Sequence, residues 1–326
     1  MQKTLLISSL VISIAIVLAG CTRIHPSSSP VPSPNAQEKV LSKDDNEQQA
    51  YDQIDGLLKQ KVYKDKLLEA ETIAEDIIKI HPSAKAYTKL SIVESWLGYV
   101  NNNETIPERI ALANQDDDKA LSLDPQYFLA YREKISLISL QKNDKLEKEW
   151  ITKARQVPHS QVENEDLDLV EVEIALRAGD LRKAQTILGH VSQETTDQGI
   201  KDVMQGEYKK IYIIQGNYDL ADQIWRDEIA NCDVKPWCEI DYAQFLIDPM
   251  HKYDDAIAMA KNALAGFDFG VGHKVLSDAY VGKAGSLARQ GKYDEAKTYL
   301  NLALQENPQN LDVQTLKILF PGLRRF

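Results

Sequence analysis

Three cysteines and six histidines are the residues of this 326-residue chain best suited to nucleophilic, redox or metal chemistry. Cys232 and Cys238 fall together in NCDVKPWC, a C-x5-C spacing. That is not the C-x-x-C of a thiol oxidoreductase. It leaves two readings open, a structural bridge or two separate thiols packed as small apolar residues. His25, His81, His159, His190, His251 and His273 are scattered, without the paired spacing that puts two imidazoles on one helix face for a metal. His81 precedes Pro82 at a helix end and reads as a partner for the helix dipole. Asp116-Asp117-Asp118 lacks the alternating ligands and the glycine of a calcium loop and reads as a solvated helix edge. Gly270-Val271-Gly272 is a lone glycine pair, and Val281-Gly282-Lys283-Ala284 lacks the upstream glycine and the Ser/Thr of a phosphate loop. No Gly-x-Ser-x-Gly is present. The expectation is a chain with no catalytic residue, no metal and no cofactor.

The elements that would have to position any site are helices. Apolar residues recur at helical spacing from about Gln48 onward, and almost no β-branched alternation suggests strands. The pattern is clearest from Leu276 to Pro308. Leu276, Tyr280, Ala284 and Leu287 form one apolar stripe; Gly291 supplies a permissive turn; Tyr293, Ala296, Leu300, Ala303 and Leu304 form a second stripe. Asn307-Pro308 closes the unit, because a residue before proline disfavours helical angles.

This unit resembles a tetratricopeptide repeat (TPR), whose pattern places aromatic, small and bulky residues where Tyr280, Ala284 and Leu287 stand. The Gly-x-Tyr-x-x-Ala turn falls on Gly291, Tyr293 and Ala296, and the later positions on Leu300, Ala303-Leu304 and Pro308. Lys283 stands where the family usually has leucine. Tyr-Asp-x-Ala recurs at Tyr218, Tyr253 and Tyr293, in turns opened by Gly216, Lys252 and Gly291. Earlier units end at His81-Pro82, Asp124-Pro125 and Val157-Pro158. An insertion interrupts the second near Asn101–Pro107, and Leu146 replaces the usual crossing alanine in the third. The long loop Asp248–Lys252 also resembles that of Sel1-like repeats. The expected fold is all-α: a right-handed TPR superhelix, an α-solenoid of about seven helix pairs over 47–320, with a capping helix at its end and a tail at 321–326.

Residues 1–20 read as a leader, with Lys3 ahead of an apolar run from Leu5 to Leu18 too short to span a bilayer comfortably. The run ends in Leu18-Ala19-Gly20-Cys21, which is similar to a bacterial lipobox. The resemblance implies cleavage before Cys21 and lipid on its thiol, with several acyl chains making attachment effectively permanent. Thr22 stands where an aspartate commonly retains such lipoproteins in the inner membrane, which favours the outer membrane, facing the periplasm. Residues 21–46 are rich in Pro and Ser and then charged, and read as a disordered tether. An exported chain meets an oxidising compartment. With Cys21 lipidated the remaining cysteines are even in number, so a Cys232–Cys238 disulfide is expected.

A formal charge of −11 argues against nucleic acid and against binding through anionic headgroups. Most aromatics fall at repeat packing positions, and the Lys/Asn cluster with which some TPR proteins clamp C-terminal peptides is absent. The resemblance implies a scaffold or adaptor in cell-envelope assembly, holding a protein partner in the groove of the superhelix: in pilus assembly, secretion, polysaccharide export or recruitment of cell-wall enzymes. A carbohydrate- or peptidoglycan-associated binding protein is the alternative.

Overall fold

The computed structural model describes residues 43–59, 64–98, 106–232 and 234–323. The leader, Cys21, His25 and the tether up to 42 lie outside the described residues, as does most of the insertion near Asn101. The described chain is helical, with no strand among its residues. Seven pairs follow one another: α1 (Lys43–Leu58) with α2 (Lys64–Ile80), α3 (Ala84–Leu97) with α4 (Pro107–Leu123), α5 (Phe128–Leu140) with α6 (Asp144–Ala154), and α7 (Gln161–Arg177) with α8 (Leu181–Glu194). Then come α9 (Gln198–Gln215) with α10 (Tyr218–Asn231), α11 (Lys235–Ile247) with α12 (Tyr253–Gly266), and α13 (Gly270–Arg289) with α14 (Tyr293–Glu306). A short α15 (Leu311–Leu319) and a 3-10 turn (Pro321–Leu323) close the chain. This is the architecture of an α-solenoid.

One local code makes five of the pairs. Each turn contains a residue in the left-handed region: Lys142 (φ 53°), Gly179 (74°), Gly216 (76°), His251 (55°) and Gly291 (77°). The next residue is the N-cap of the second helix. Four residues beyond the N-cap a side chain is fully buried where the helices cross: Glu147, Ala184, Ala221, Ala256 and Ala296, each 0 % exposed. In four of the turns the N-cap amide bonds back into the preceding helix, Asp180 to Ala175, Asn217 to Tyr212, Lys252 to Leu246 and Lys292 to Leu287, so the reversal satisfies carbonyls that a helix end would leave open.

This register corrects two sequence readings. Lys252 is the N-cap of α12, and His251 holds the left-handed position that glycine holds elsewhere. The crossing residue of the third pair is Glu147, not Leu146; its carboxylate accepts from Arg177 of α7. Hydrophobicity pointed to leucine, but the helix phase set by the N-cap places the glutamate inside. The tether boundary also moves, since 43–46 are already helical; a charged run reads alike as linker or as a polar first helical turn.

The chain divides between Glu207 and Tyr208 into two compact units. In the first, α1 and α2 pack through Tyr51, Ile54, Leu67, Ala70 and Ala74, and α5 to α7 through Ile135, Ile151, Leu167 and Ile174. In the second, one continuous core runs through Trp225, Ile240, Phe245, Leu276, Tyr280, Leu300 and Val313. Fully burying each such side chain contributes roughly 1.5–3 kcal/mol.

Glycine serves close approach in this second core. A Cβ on Gly282 would lie 2.2 Å from the Tyr253 ring, and one on Gly322 would lie 2.8 Å from the Tyr293 ring. In both cases the turn tyrosine seats on a glycine 29 residues later. The terminal 3-10 turn thus repeats the contact that a further helix would make. Leu323 is fully buried there, so 321–323 belong to the folded body and not to a free tail.

Candidate partner-binding surface

Chemistry-bearing side chains in the described body are largely joined to one another across helices. Arg109 of α4 meets Glu71 of α2 at 2.5 Å and both oxygens of Glu94 on α3 at 2.8 Å. Burial raises Glu94 and the guanidinium opposes it. Arg132 of α5 pairs with Asp166 of α7; burial alone would lower it, but the carboxylate reverses the sign. Lys134 donates to Asp118 at 2.6 Å and to the Asn114 carbonyl at 3.0 Å. Arg155 reaches Asp168 and Glu171, and Arg177 reaches Asp144 and Glu147. In the second unit Lys209 is buried against Glu228, with its ammonium 3.3 Å from the Trp225 ring centroid. Burial lowers the Lys209 amine, and burial raises Asp241, to about 7, with Lys209 opposing. Removing one partner of a buried pair of this kind leaves an uncompensated charge inside and costs about 3–5 kcal/mol.

The histidines do not converge. His81 is exposed. His159 stacks on Phe128, with Nδ1 2.7 Å from the Val157 carbonyl. His190 lies 3.5 Å from Glu194, and His251 bonds the Tyr253 hydroxyl at 3.1 Å. His273 lies between Glu306 (2.6 Å) and Asp268 (2.7 Å), and the Glu306 hydrogen bond raises its pKa. Ser277, one turn along α13, donates to the Ala303 carbonyl and is not placed as a nucleophile. Among the described residues no group of three His, Cys, Asp or Glu could hold a metal ion.

The expected packing residues take these places: Tyr280, Ala284, Leu287, Ala296, Leu300 and Ala303 are buried, Gly291 sits in the turn, and Pro308 is exposed. Tyr293 is 37 % exposed, with the rest of its ring on Gly322. Lys283, the departure from the repeat pattern, pairs with Asp254 at 2.6 Å. Cys232, at the C-cap of α10, is joined to Cys238 in the first turn of α11, with Cα atoms 6.5 Å apart. The bridge sits beside an aromatic cluster, Trp237 on Phe269 (centroids 5.0 Å apart) and Phe269 on Phe267 (5.4 Å).

Two polar sites escaped the sequence reading. Asn310, buried before α15, donates to Ser277 and Asp278 and accepts from the Asp312 amide, pinning α15 to α13. The Asp116–118 run is not a uniformly solvated edge: Asp117 is fully buried, Asp116 half-buried, and Asp118 paired with Lys134. Helix phase was the available signal, because Asp117 lies between Ala113 and Ala120 on one face.

No helix among the described residues is long and apolar enough to cross a membrane. A scan against protein-family models and a search of curated proteins find no match. Solved structures do resemble the chain. A tetratricopeptide repeat protein from Parabacteroides merdae aligns over 84 % of this chain and 96 % of its own, at 14 % identity and TM-score 0.43. Yeast Tom70 aligns over 96 % and 69 %, at 12 % identity and TM-score 0.45. The APC/C hetero-tetramer Cut9-Hcn1 aligns over 82 % of this chain at 16 % identity and TM-score 0.55; the match spans 47 % of that chain, about half its length. The likeness to Cut9-Hcn1 is one of fold: this chain is a TPR-like α-solenoid.

Proposed function

We propose that the chain is a lipid-anchored scaffold of the cell envelope that holds a protein partner on its helical repeats. The observation that carries the reading is that the interior charged side chains of the described body are largely engaged with one another across helices, as those of Arg109, Arg132, Arg177 and Lys209 are. What such a body offers is extended surface. The solved relative Cut9-Hcn1, a hetero-tetramer, is an instance of this fold in a protein complex. The lipobox-like Leu18-Ala19-Gly20-Cys21 supports attachment through Cys21, and Thr22 supports the outer membrane, facing the periplasm. The carbohydrate reading has less support. It wants open aromatic platforms, and the described aromatics are buried or half-buried apart from Tyr293, which is seated on Gly322.

The test is radiolabelled-palmitate incorporation and membrane fractionation of the wild type and Cys21→Ser, together with crosslinking in intact cells. Loss of label and release from the outer-membrane fraction in C21S, with a discrete protein adduct in the wild type, is the expected result. A C21S protein that stays processed and membrane-bound would overturn the anchor. A single Asp→Asn or His→Gln exchange that abolishes the envelope phenotype with folding and crosslinking intact would overturn the scaffold.

A further inference from the structure

Asp117 sits at the middle of α4 and is fully buried, and neither of its carboxyl oxygens has a hydrogen-bond partner. Two hydroxyls on α3, Thr88 and Ser91, are equally buried and also lack partners. Ser91 faces Asp117 closely enough to favour its charged form, although neither group has a formed hydrogen bond. From α5, Glu133 presents a second buried carboxyl to the same place. An ionised carboxylate with no donor is among the costliest things a protein interior can hold. A neutral acid in the same position has an O–H to give and a carbonyl to accept with, and the rotating hydroxyl of Ser91 can meet either.

Among the surrounding charges Lys134 favours an anion at Asp117, but by less than burial and Glu133 oppose it. On α4 itself stand Asp116 and Asp118, the latter bound to Lys134. On α3, Glu94 is held by Arg109 and Lys89 pairs with Asp55 at 2.5 Å. On α5, Arg132 is committed to Asp166 of α7, and the Lys134 ammonium to Asp118 and the Asn114 carbonyl. Glu75 of α2 adds negative charge near Asp116.

We infer that the α3–α4–α5 junction is a proton-operated joint, in which Asp117 must carry its proton for the three helices to pack. Burial, reinforced by Glu133, pushes Asp117 up to about 8; burial likewise brings Glu133 to about 7 and Asp116 to about 7. The three groups therefore ionise within one window and make the response steep. In the unfolded chain an aspartate titrates near 3.8. The packed junction thus binds more protons than the open one between about pH 4 and 8. Its stability is fully present below that window, is lost as pH rises through it, and levels off above. The joint holds α3 and α5 in register, so any partner surface on those helices is graded by pH. This inference does not depend on the scaffold reading.

The test is hydrogen exchange by mass spectrometry on the purified full chain, corrected for intrinsic rates, from pH 5.5 to 9, in the wild type and Asp117→Asn. In the wild type the opening constant of residues 84–98 and 106–140 should rise by at least about tenfold per pH unit between 5.5 and 7.5, one factor of ten for each carboxyl that is protonated in the packed junction and ionised in the open one. D117N, neutral at every pH and close in shape, should fold and show a flatter profile, keeping the part of the slope owed to Glu133 and Asp116, with Glu133→Gln reducing the slope further. A flat wild-type profile overturns the inference. So does an undiminished slope in D117N, or failure of D117N to fold, because the neutral group is the one proposed to be native. Protection at pH 8 that depends on sodium or potassium in place of choline would also overturn it, showing that a cation and not a proton satisfies Asp117.

Discussion

Adding one methyl group at Gly282 tests the packing of the second unit with a sign that packing alone decides. Gly282 lies inside α13, and in an open helix position glycine to alanine stabilises by about 1 kcal/mol. Gly189, inside α8, is such a position, with nothing within 4 Å of an added Cβ. At Gly282 the added Cβ would stand 2.2 and 2.4 Å from two ring carbons of Tyr253. Carbon contacts settle near 3.5–4.0 Å, so the ring must retreat by more than about 1 Å. Tyr253 opens α12 and bonds His251, so it has little freedom to move without disturbing the turn. Overpacking of this kind costs about 1–3 kcal/mol. The expected outcome is that Gly189→Ala raises the urea midpoint while Gly282→Ala lowers it, by about 1–3 kcal/mol at unchanged m-value. In the Tyr253→Ala background, Gly282→Ala should become neutral or stabilising, a coupling of comparable size. If Gly282→Ala stabilises as Gly189→Ala does, or if removing the Tyr253 ring does not rescue it, the contact is not what sets the spacing of these pairs.

Three further outcomes follow from other sites. Lys142 adopts φ 53°, so Lys142→Gly should stabilise by up to about 1 kcal/mol, whereas Gly216→Ala, at φ 76°, should destabilise by about 1–2 kcal/mol; urea midpoints read both. Reducing the Cys232–Cys238 bridge should lower the second unit's stability by roughly 2 kcal/mol on the chain-entropy account, seen as a melting shift with reductant that the C232S/C238S protein does not show. Asn310→Leu would remove the donor that Ser277 and Asp278 accept from and the acceptor of the Asp312 amide, leaving Ser277 its bond to the Ala303 carbonyl. It should cost about 2–4 kcal/mol and speed proteolysis after α14, and an unchanged midpoint would refute the pinning role.

Helix pairs, their number and their turns were legible in the chain because the physics that sets them is local. Glycine relieves the left-handed position, proline ends a helix, and alanine at a crossing is a matter of volume. Gly179, Gly216 and Gly291 announce their turns for that reason, and the stripe from Leu276 to Leu304 announces its faces. The Cys232–Cys238 spacing likewise permitted a bridge without deciding one. Lys142 and His251 hold the same left-handed position without glycine, and nothing local distinguishes them from ordinary polar residues. Their conformation is imposed by the helices on either side.

Burial of polar groups was the part that only the tertiary structure decided. Asp116, Asp117 and Asp118 are chemically identical in sequence. Successive residues on a helix point about 100° apart, and only the placement of α3 and α5 determines which one faces inward. Glu147 was hidden for a related reason: its environment comes from Arg177, thirty residues away. Asn310 looked like a loop residue and is a buried pin because α13 supplies Ser277 and Asp278 across a gap that sequence distance does not measure. Hydrophobic pattern reports which faces must leave water. Which charges are trapped when they do, and with what partners, depends on the contacts that form afterwards.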